Sequence, residues 1–229
     1  MAETIKRAAT MILIRNREQG RGIEVYLTKR PGTMLFLPGY YVFPGGVMQQ
    51  EDQNERIFRH CVNQELGVGL SYAVTAIREC FEEVGYLLAD LNEAGSGVAA
   101  EPNEIRRQLE LGELIFHDWV LSGKVRLRTD LIRYYGHRIT PRAVSPRRFD
   151  TRYFLSIVSL DTELLPCERE VDSGVWMDPR EALEKAERGA FKMVRPTMDA
   201  LADLARFENA EEAFWHGEGV GQPRPHELA

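Results

Sequence analysis

Arg78-Glu79-Cys80-Phe81-Glu82-Glu83-Val84-Gly85 sets three carboxylates at positions i, i+3 and i+4 and stops at a glycine. On an α-helix that spacing puts Glu79, Glu82 and Glu83 on one face, as neighbours. Three like charges so placed repel, so the cluster either holds protons or recruits cations. Carboxylate oxygens are hard donors and suit Mg²⁺ or Mn²⁺. Arg78 lies four residues before Glu82, where its guanidinium can fix the orientation of that carboxylate. Cys80 and Phe81 bring apolar matter beside the charged stripe, and Cys80 is read as packing rather than chemistry. The alternative is a solvated acidic helix face, which is what most runs of this composition are.

The helix carrying this segment is predicted over residues 72–84, with Ser71 as N-cap and Gly85 as a left-handed C-cap. Upstream, residues 8–15 (AATMILIR) and 23–30 (IEVYLTKR) are aliphatic, β-branched runs joined by a glycine-containing turn, which predicts two neighbouring strands. A further strand is expected over 40–43, then a sharp break at Pro44-Gly45-Gly46 and a short amphipathic helix over 51–66. Downstream, residues 90–102 read as a loop and 104–121 as two short helices. Strands follow over 131–140, 151–160 and 174–177; Asp178-Pro179 then starts a helix over 180–188, and 195–207 is another. This order predicts an α+β fold, a layered α/β/α sandwich around a mixed sheet with helical insertions.

The 229 residues are taken as a single domain, with insertions about 53–70 and 103–122 and a tail, 208–229, either flexible or lightly docked. With 44% hydrophobic and 28% charged residues the composition is that of a globular protein. A formal charge of -6 argues against a nucleic-acid partner, which would call for surplus Lys and Arg. Cys61, Cys80 and Cys167 form neither a disulfide framework nor a C-x-x-C pair. With no signal-peptide pattern and no apolar run near the ~20 residues that span a bilayer, a cytoplasmic protein without a membrane partner is expected. The five histidines lack ligand spacing and are assigned to structure or solvent, and Tyr134-Tyr135 to sheet packing.

The acidic segment resembles the signature of the Nudix hydrolases: a glycine, five residues, a glutamate, seven residues, then Arg-Glu, an apolar residue, any residue, Glu-Glu, any residue, Gly and an apolar residue. Residues 78–86 match its second half, and Phe43-Pro44-Gly45-Gly46 its beginning. Between Gly46 and Arg78 lie 31 residues where the uninterrupted signature has 13, an excursion of 18. Asp52 stands at the position of the first acidic residue, but after that detour it is read as a solvated loop residue. The resemblance implies a Nudix fold and hydrolysis of a diphosphate bond in a small molecule. It further implies Glu82 and Glu83 as metal ligands, Glu79 as a ligand or proton acceptor, the Gly46 carbonyl in the same shell, and Arg78 as part of the catalytic group.

Leu27-Thr28-Lys29-Arg30, followed by Gly39 and Phe43-Pro44-Gly45-Gly46, is similar to the motif accompanying the box in coenzyme A diphosphatases. Leu35 occupies the place of a second arginine in that motif, and Pro31 that of a small residue. Residues 43–48, 76–88 and 148–155, with the long insertion, resemble the acyl-coenzyme A diphosphatases of the family. That likeness implies cleavage of coenzyme A or its thioesters to 3',5'-ADP and (acyl-)phosphopantetheine. Candidate phosphate-binding residues are Lys29, Arg30, Arg147 and Arg148, with Arg142 nearby. Glu168 and Glu170 are candidate additional carboxylates, and a homodimer is compatible with what the relatives do. Two other readings stay open: a Nudix pyrophosphatase for ADP-ribose or another nucleoside diphosphate derivative, and a non-catalytic nucleotide-binding regulator. Regulators of that kind often lack box glutamates, and here all three are present.

Overall fold

The computed structural model describes residues 5–62, 66, 68–91, 102–143, 145 and 147–219. In chain order these form β1 (Lys6–Asn16), β2 (Ile23–Lys29), β3 (Tyr41–Val42), β4 (Gly45–Val47), α1 (Glu55–Phe58), α2 (Leu70–Val84), β5 (Ala89–Leu91), α3 (Pro102–Leu111), α4 (Phe116–Leu121), β6 (Val125–Leu127), β7 (Ile132–Ile139), β8 (Phe149–Ile157), β9 (Ser173–Met177), α5 (Pro179–Glu187), α6 (Arg195–Leu204) and α7 (Ala210–His216).

The main sheet is mixed. β1 runs parallel to β8, in register from Lys6↔Phe149 to Ile14↔Ile157, and antiparallel to β2 and β4. β7 extends the sheet beyond β8, while β3 and β9 pair with β2. Successive side chains of a strand face opposite ways, and β1 is apolar on both sides. Its Ala9, Met11 and Leu13 belong to a core shared with α2 and the α3–α4 segment; Ile12 and Ile14 belong to a second core under α5, α6 and α7. The result is the expected α/β/α layering. Asp178 caps α5 by accepting from Arg180 N–H at 2.7 Å with Pro179 in the first turn, and Gly85 ends α2 at φ 75°.

Several local expectations are corrected. The amphipathic helix over 51–66 is instead a 3₁₀ turn, Glu51–Gln53, followed by the single helical turn α1, capped by Asn54. Residues 63–65 lie outside the described residues. α2 begins at Leu70 after Gly69, and Ser71 does not cap it; the Ser71 carbonyl accepts from Thr75 Oγ1 within the helix. The break at Pro44-Gly45-Gly46 is itself strand β4, lying so close to β1 that a Cβ on Gly45 would come within 2.5 Å of the Ala9 carbonyl oxygen. Only glycine lets the backbones approach that far. Part of the expected tail is α7, capped by Asn209 and burying Ala213 and Phe214; residues 220–229 lie outside the described residues. The loop predicted over 90–102 falls mostly outside them too, and the β5–β6 hairpin flanking it was not foreseen.

Candidate metal and diphosphate site

β4 delivers Gly45 and Gly46 to the flank of α2, and the box carboxylates meet them there. Glu83 Oε2 accepts from Gly45 N–H at 3.0 Å. The Glu79 carboxylate lies so near Gly46 that a Cβ there would overlap it. Arg78 donates through one nitrogen, Nη1, to Glu79 Oε1 and Glu82 Oε2, both at 2.9 Å. The expected i, i+4 pair of Arg78 and Glu82 is thus formed, and Glu79 shares the same nitrogen.

Behind this face lies the largest correction. Asp52 is not solvated: it is fully buried and pairs with Arg78, itself 1% exposed. Its carboxylate accepts from Arg78 Nε and Nη2, both at 3.0 Å, from Thr75 Oγ1 at 2.9 Å, and from Gln49 N–H and His117 Nε2 at 2.8 Å each. Burial alone would push this carboxyl up, but the His117 and Arg78 hydrogen bonds outweigh it and hold the group down at about 2. The clue was the signature spacing itself, which puts Asp52 at the first acidic position; the 18-residue excursion concealed it.

The face toward solvent behaves oppositely. Burial pushes Glu79 up to about 7, with Arg78 opposing and Glu82 adding to the rise. Glu82 is raised by burial against the pull of Arg78. Glu83 is raised strongly, by burial and by the Glu79 charge, against the Gly45 N–H. A group of partly buried carboxylates held above their ordinary range lacks positive charge, and the donor chemistry fits a hard divalent cation. Among the described residues no three His, Cys, Asp or Glu side chains stand ready-arranged around a common point. Oxygens of all three glutamates are instead engaged by Arg78 and Gly45, so binding a cation needs these side chains to turn.

Glu170 belongs to the same neighbourhood: its charge raises Glu79, Glu82 and Glu83 alike. The turn carrying it is tied to α2 through Cys167 N–H, which donates to the Glu83 carbonyl at 2.7 Å. Glu168 and Glu170 are both exposed on that turn.

A cavity of about 770 Å³ opens beside Gly45 and Gly46. Arg30 lines it, donating Nε–H to the Phe36 carbonyl at 3.1 Å, and its charge favours ionised Glu83. Lys29 does not line the cavity; its ammonium pairs with Asp172 at 2.8 Å, which raises the Lys29 pKa. Arg147 is exposed, and Arg148 donates to the Thr140 carbonyl at 2.8 Å; neither lines the cavity, although Ser145 and Phe149 beside them do. Arg138 and Arg195 do line it, both paired with Asp199. Sequence reasoning missed these two because neither lies near a recognisable motif. Among the described residues no helix is long and apolar enough to cross a membrane.

No family model matches the chain. It is 26% identical over 185 residues to a Caenorhabditis elegans protein with the provisional name nudix hydrolase 7, covering 81% of this chain and 57% of that protein. It is 24% identical over 233 aligned positions to an acyl-coenzyme A diphosphatase of Xenopus laevis, covering 82% of this chain and 61% of that one. The chain therefore spans about three fifths of the length of these curated relatives. Among solved structures, a Nudix hydrolase from Alicyclobacillus acidocaldarius superposes with a TM-score of 0.81 at 29% identity, over 96% of this chain and 100% of that one. The Nudix domain of Shewanella oneidensis NrtR, solved with ADP-ribose, shares the fold at a TM-score of 0.50 and 10% identity, over 89% of this chain and 87% of that one. With the box residues gathered on α2 against the Gly45–Gly46 strand and a full-length structural match, the chain has the Nudix fold and is similar over most of its length to Nudix hydrolases.

Proposed function

We propose that this protein cleaves the diphosphate bond of coenzyme A or an acyl-coenzyme A, giving 3',5'-ADP and (acyl-)phosphopantetheine. Glu79, Glu82, Glu83 and the Gly46 carbonyl would hold Mg²⁺ or Mn²⁺. The observation that carries the reading is the packing of Glu83 and Glu79 against Gly45 and Gly46, with Glu82 tied beside them by Arg78, next to an arginine-containing cavity. A bound divalent cation would neutralise diphosphate oxygens and acidify a water molecule. The chain's own part is separate. Arg78 holds Glu79 and Glu82 in one orientation. Glu79, with its carboxyl near 7, accepts a proton from water at a carboxylate oxygen. Arg30 meets a phosphate oxygen from the cavity side. Arg147 and Arg148 would reach a further phosphate only by turning away from where they now point, and Lys29 by leaving Asp172; Glu170 adds a fourth carboxylate.

A second reading rests on Leu35. The coenzyme A motif has an arginine at that place, whereas Leu35 is 87% exposed beside the cavity and can offer a phosphate nothing. That favours ADP-ribose or another nucleoside diphosphate derivative. The test is incubation with Mg²⁺ or Mn²⁺ and a panel of coenzyme A, acyl-coenzyme A, ADP-ribose and nucleoside triphosphates, with the products identified by mass. Release of 3',5'-ADP is expected. Turnover of ADP-ribose alone selects the second reading, and no turnover of any compound leaves only a binding role.

A further inference from the structure

The segment α3–α4 touches the box helix at both ends of its charged stripe. His117 on α4, 4% exposed, contributes Nε2 at 2.8 Å from Asp52 Oδ1. An ionised carboxylate can only accept, so this nitrogen carries the hydrogen. Asp52 then grips Arg78 through Nε and Nη2, and Arg78 spends its remaining nitrogen, Nη1, on Glu79 and Glu82 together. Because one nitrogen serves both carboxylates, a small tilt of the guanidinium displaces both. At the other end Arg106 on α3, also buried, donates to the carbonyls of Glu82 at 3.2 Å and Glu83 at 3.4 Å, and to that of Leu165. The fit is close: a Cβ on Gly85 would come within 2.9 Å of Arg106 Nη1, a second reason for glycine there besides its positive φ. Between these two contacts Trp119 of α4 stacks on Phe81 of α2, ring centroids 6.0 Å apart.

We propose that α3–α4 is a clamp on the box helix, in which His117 is a positioning residue for the metal-binding carboxylates and Arg106 fixes the backbone that bears them. His117 acts through Asp52 and Arg78 and does not itself reach a substrate. Its contribution is orientation: residues that hold ligands in place typically change metal affinity by about ten- to a hundredfold when removed.

The activity arm of the test rests on the proposed diphosphate hydrolysis; the metal arm does not. Mn²⁺ binding to the full chain, read from the free Mn²⁺ signal by electron paramagnetic resonance without substrate, is measured for wild type, His117→Ala, His117→Gln and Arg106→Lys. Circular dichroism checks that each is folded. His117→Ala is expected to weaken Mn²⁺ binding about tenfold or more, and to lower kcat by a similar factor with KM unchanged. Glutamine, whose amide N–H can replace Nε2–H, should restore most of both. Arg106→Lys keeps the charge but replaces three separate nitrogens with one, which cannot reach the Glu82, Glu83 and Leu165 carbonyls as the fork does, and should weaken Mn²⁺ binding in the same direction. A folded His117→Ala protein with wild-type Mn²⁺ affinity overturns the proposal, as does a glutamine variant as impaired as alanine; unchanged affinity in Arg106→Lys removes Arg106 from the clamp. If wild type binds Mn²⁺ but cleaves none of the panel, the hydrolysis reading fails and the metal arm still decides the clamp. If wild type binds no Mn²⁺, both fall.

Discussion

Replacing Asp52 by asparagine should unfold much of the stability while leaving every residue toward the solvent face chemically intact. The carboxylate accepts five hydrogen bonds, three on Oδ2 and two on Oδ1, and all its partners are donors. An amide keeps one oxygen and turns an NH₂ group toward an Arg78 N–H in either orientation, so the bidentate Arg78 pair is broken whichever way it lies. Hydrogen bonds to charged groups contribute about 1.5–3 kcal/mol each, and breaking a buried pair costs about 3–5 kcal/mol because the partner charge stays behind. We expect a loss of about 3–5 kcal/mol, against total stabilities of about 5–15 kcal/mol. For a chain of this size that corresponds to a fall in Tm of about 6–20 °C. Urea unfolding followed by far-UV circular dichroism measures it. There is a second signature: the Asp52 carboxyl is depressed from 3.8 to about 2. A depressed carboxyl contributes stability above its unfolded value that is lost as pH falls through the folded one. Wild type should therefore lose about 2 kcal/mol between pH ~4 and ~2 from this group, and Asp52→Asn should lack that part of the acid slope. An unfolding midpoint within about 0.5 kcal/mol of wild type, the ordinary scatter of surface substitutions, would show that the buried network carries no such load.

Glu79→Gln should do the reverse. Because the Glu79 carboxyl is raised from 4.5 to about 7, the metal-free protein loses stability as pH rises between those values, and at pH 8 glutamine should be more stable by about 1–3 kcal/mol although activity is abolished; a destabilised variant refutes the sign. Saturating Mg²⁺ should flatten the wild-type pH dependence, which thermal melts from pH 4 to 8 with and without the metal will read. Gly46→Ala puts a Cβ into the Glu79 carboxylate, the free end of a flexible side chain, so the protein should fold with near-normal Tm yet lose about tenfold or more in kcat. Phe81→Ala removes a wholly buried ring between α2 and Trp119 and should cost about 3–5 kcal/mol by chemical denaturation.

How much of this was legible depends on how local the signal is. The strands β1, β2, β7, β8 and β9 and the helices α2, α5 and α6 were readable because each combines its own periodicity with a turn residue or cap, as in Asp178-Pro179 and Gly85. The short β4 was unreadable for a physical reason. Pro44-Gly45-Gly46 has the composition of a turn, and only the approach of β1, a partner remote in sequence, turns it into strand. The helix expected over 51–66 failed likewise, since apolar spacing at Ile57 and Cys61 survives although Asp52 is drawn inward and the chain turns extended at Asn54. The arginines of the cavity follow the same rule: Arg30 sits beside a motif and was found, while Arg138 and Arg195 are brought in by β7 and α6 and carry no local mark.

Asp52 shows why the interrupted signature still makes one site. The 18 extra residues lengthen the path from Gly46 to Arg78, but the contacts that matter at its two ends are short ones: Gly45 N–H to Glu83, and Asp52 to Arg78. Lengthening a loop costs little, since closure entropy grows only with the logarithm of length, about 0.6 kcal/mol per doubling. The excursion also leaves only after Asp52, so the acidic residue stays on the near side, six positions past Gly46, and reaches Arg78. Length therefore says nothing against the site. Behind Asp52, α4 approaches from outside the box altogether and supplies His117 to a carboxylate whose other contacts come from Gln49, Thr75 and Arg78. Treating the insertion as a detour from the site led to Asp52 being assigned to solvent. The geometry makes it the point where the α3–α4 segment meets the box.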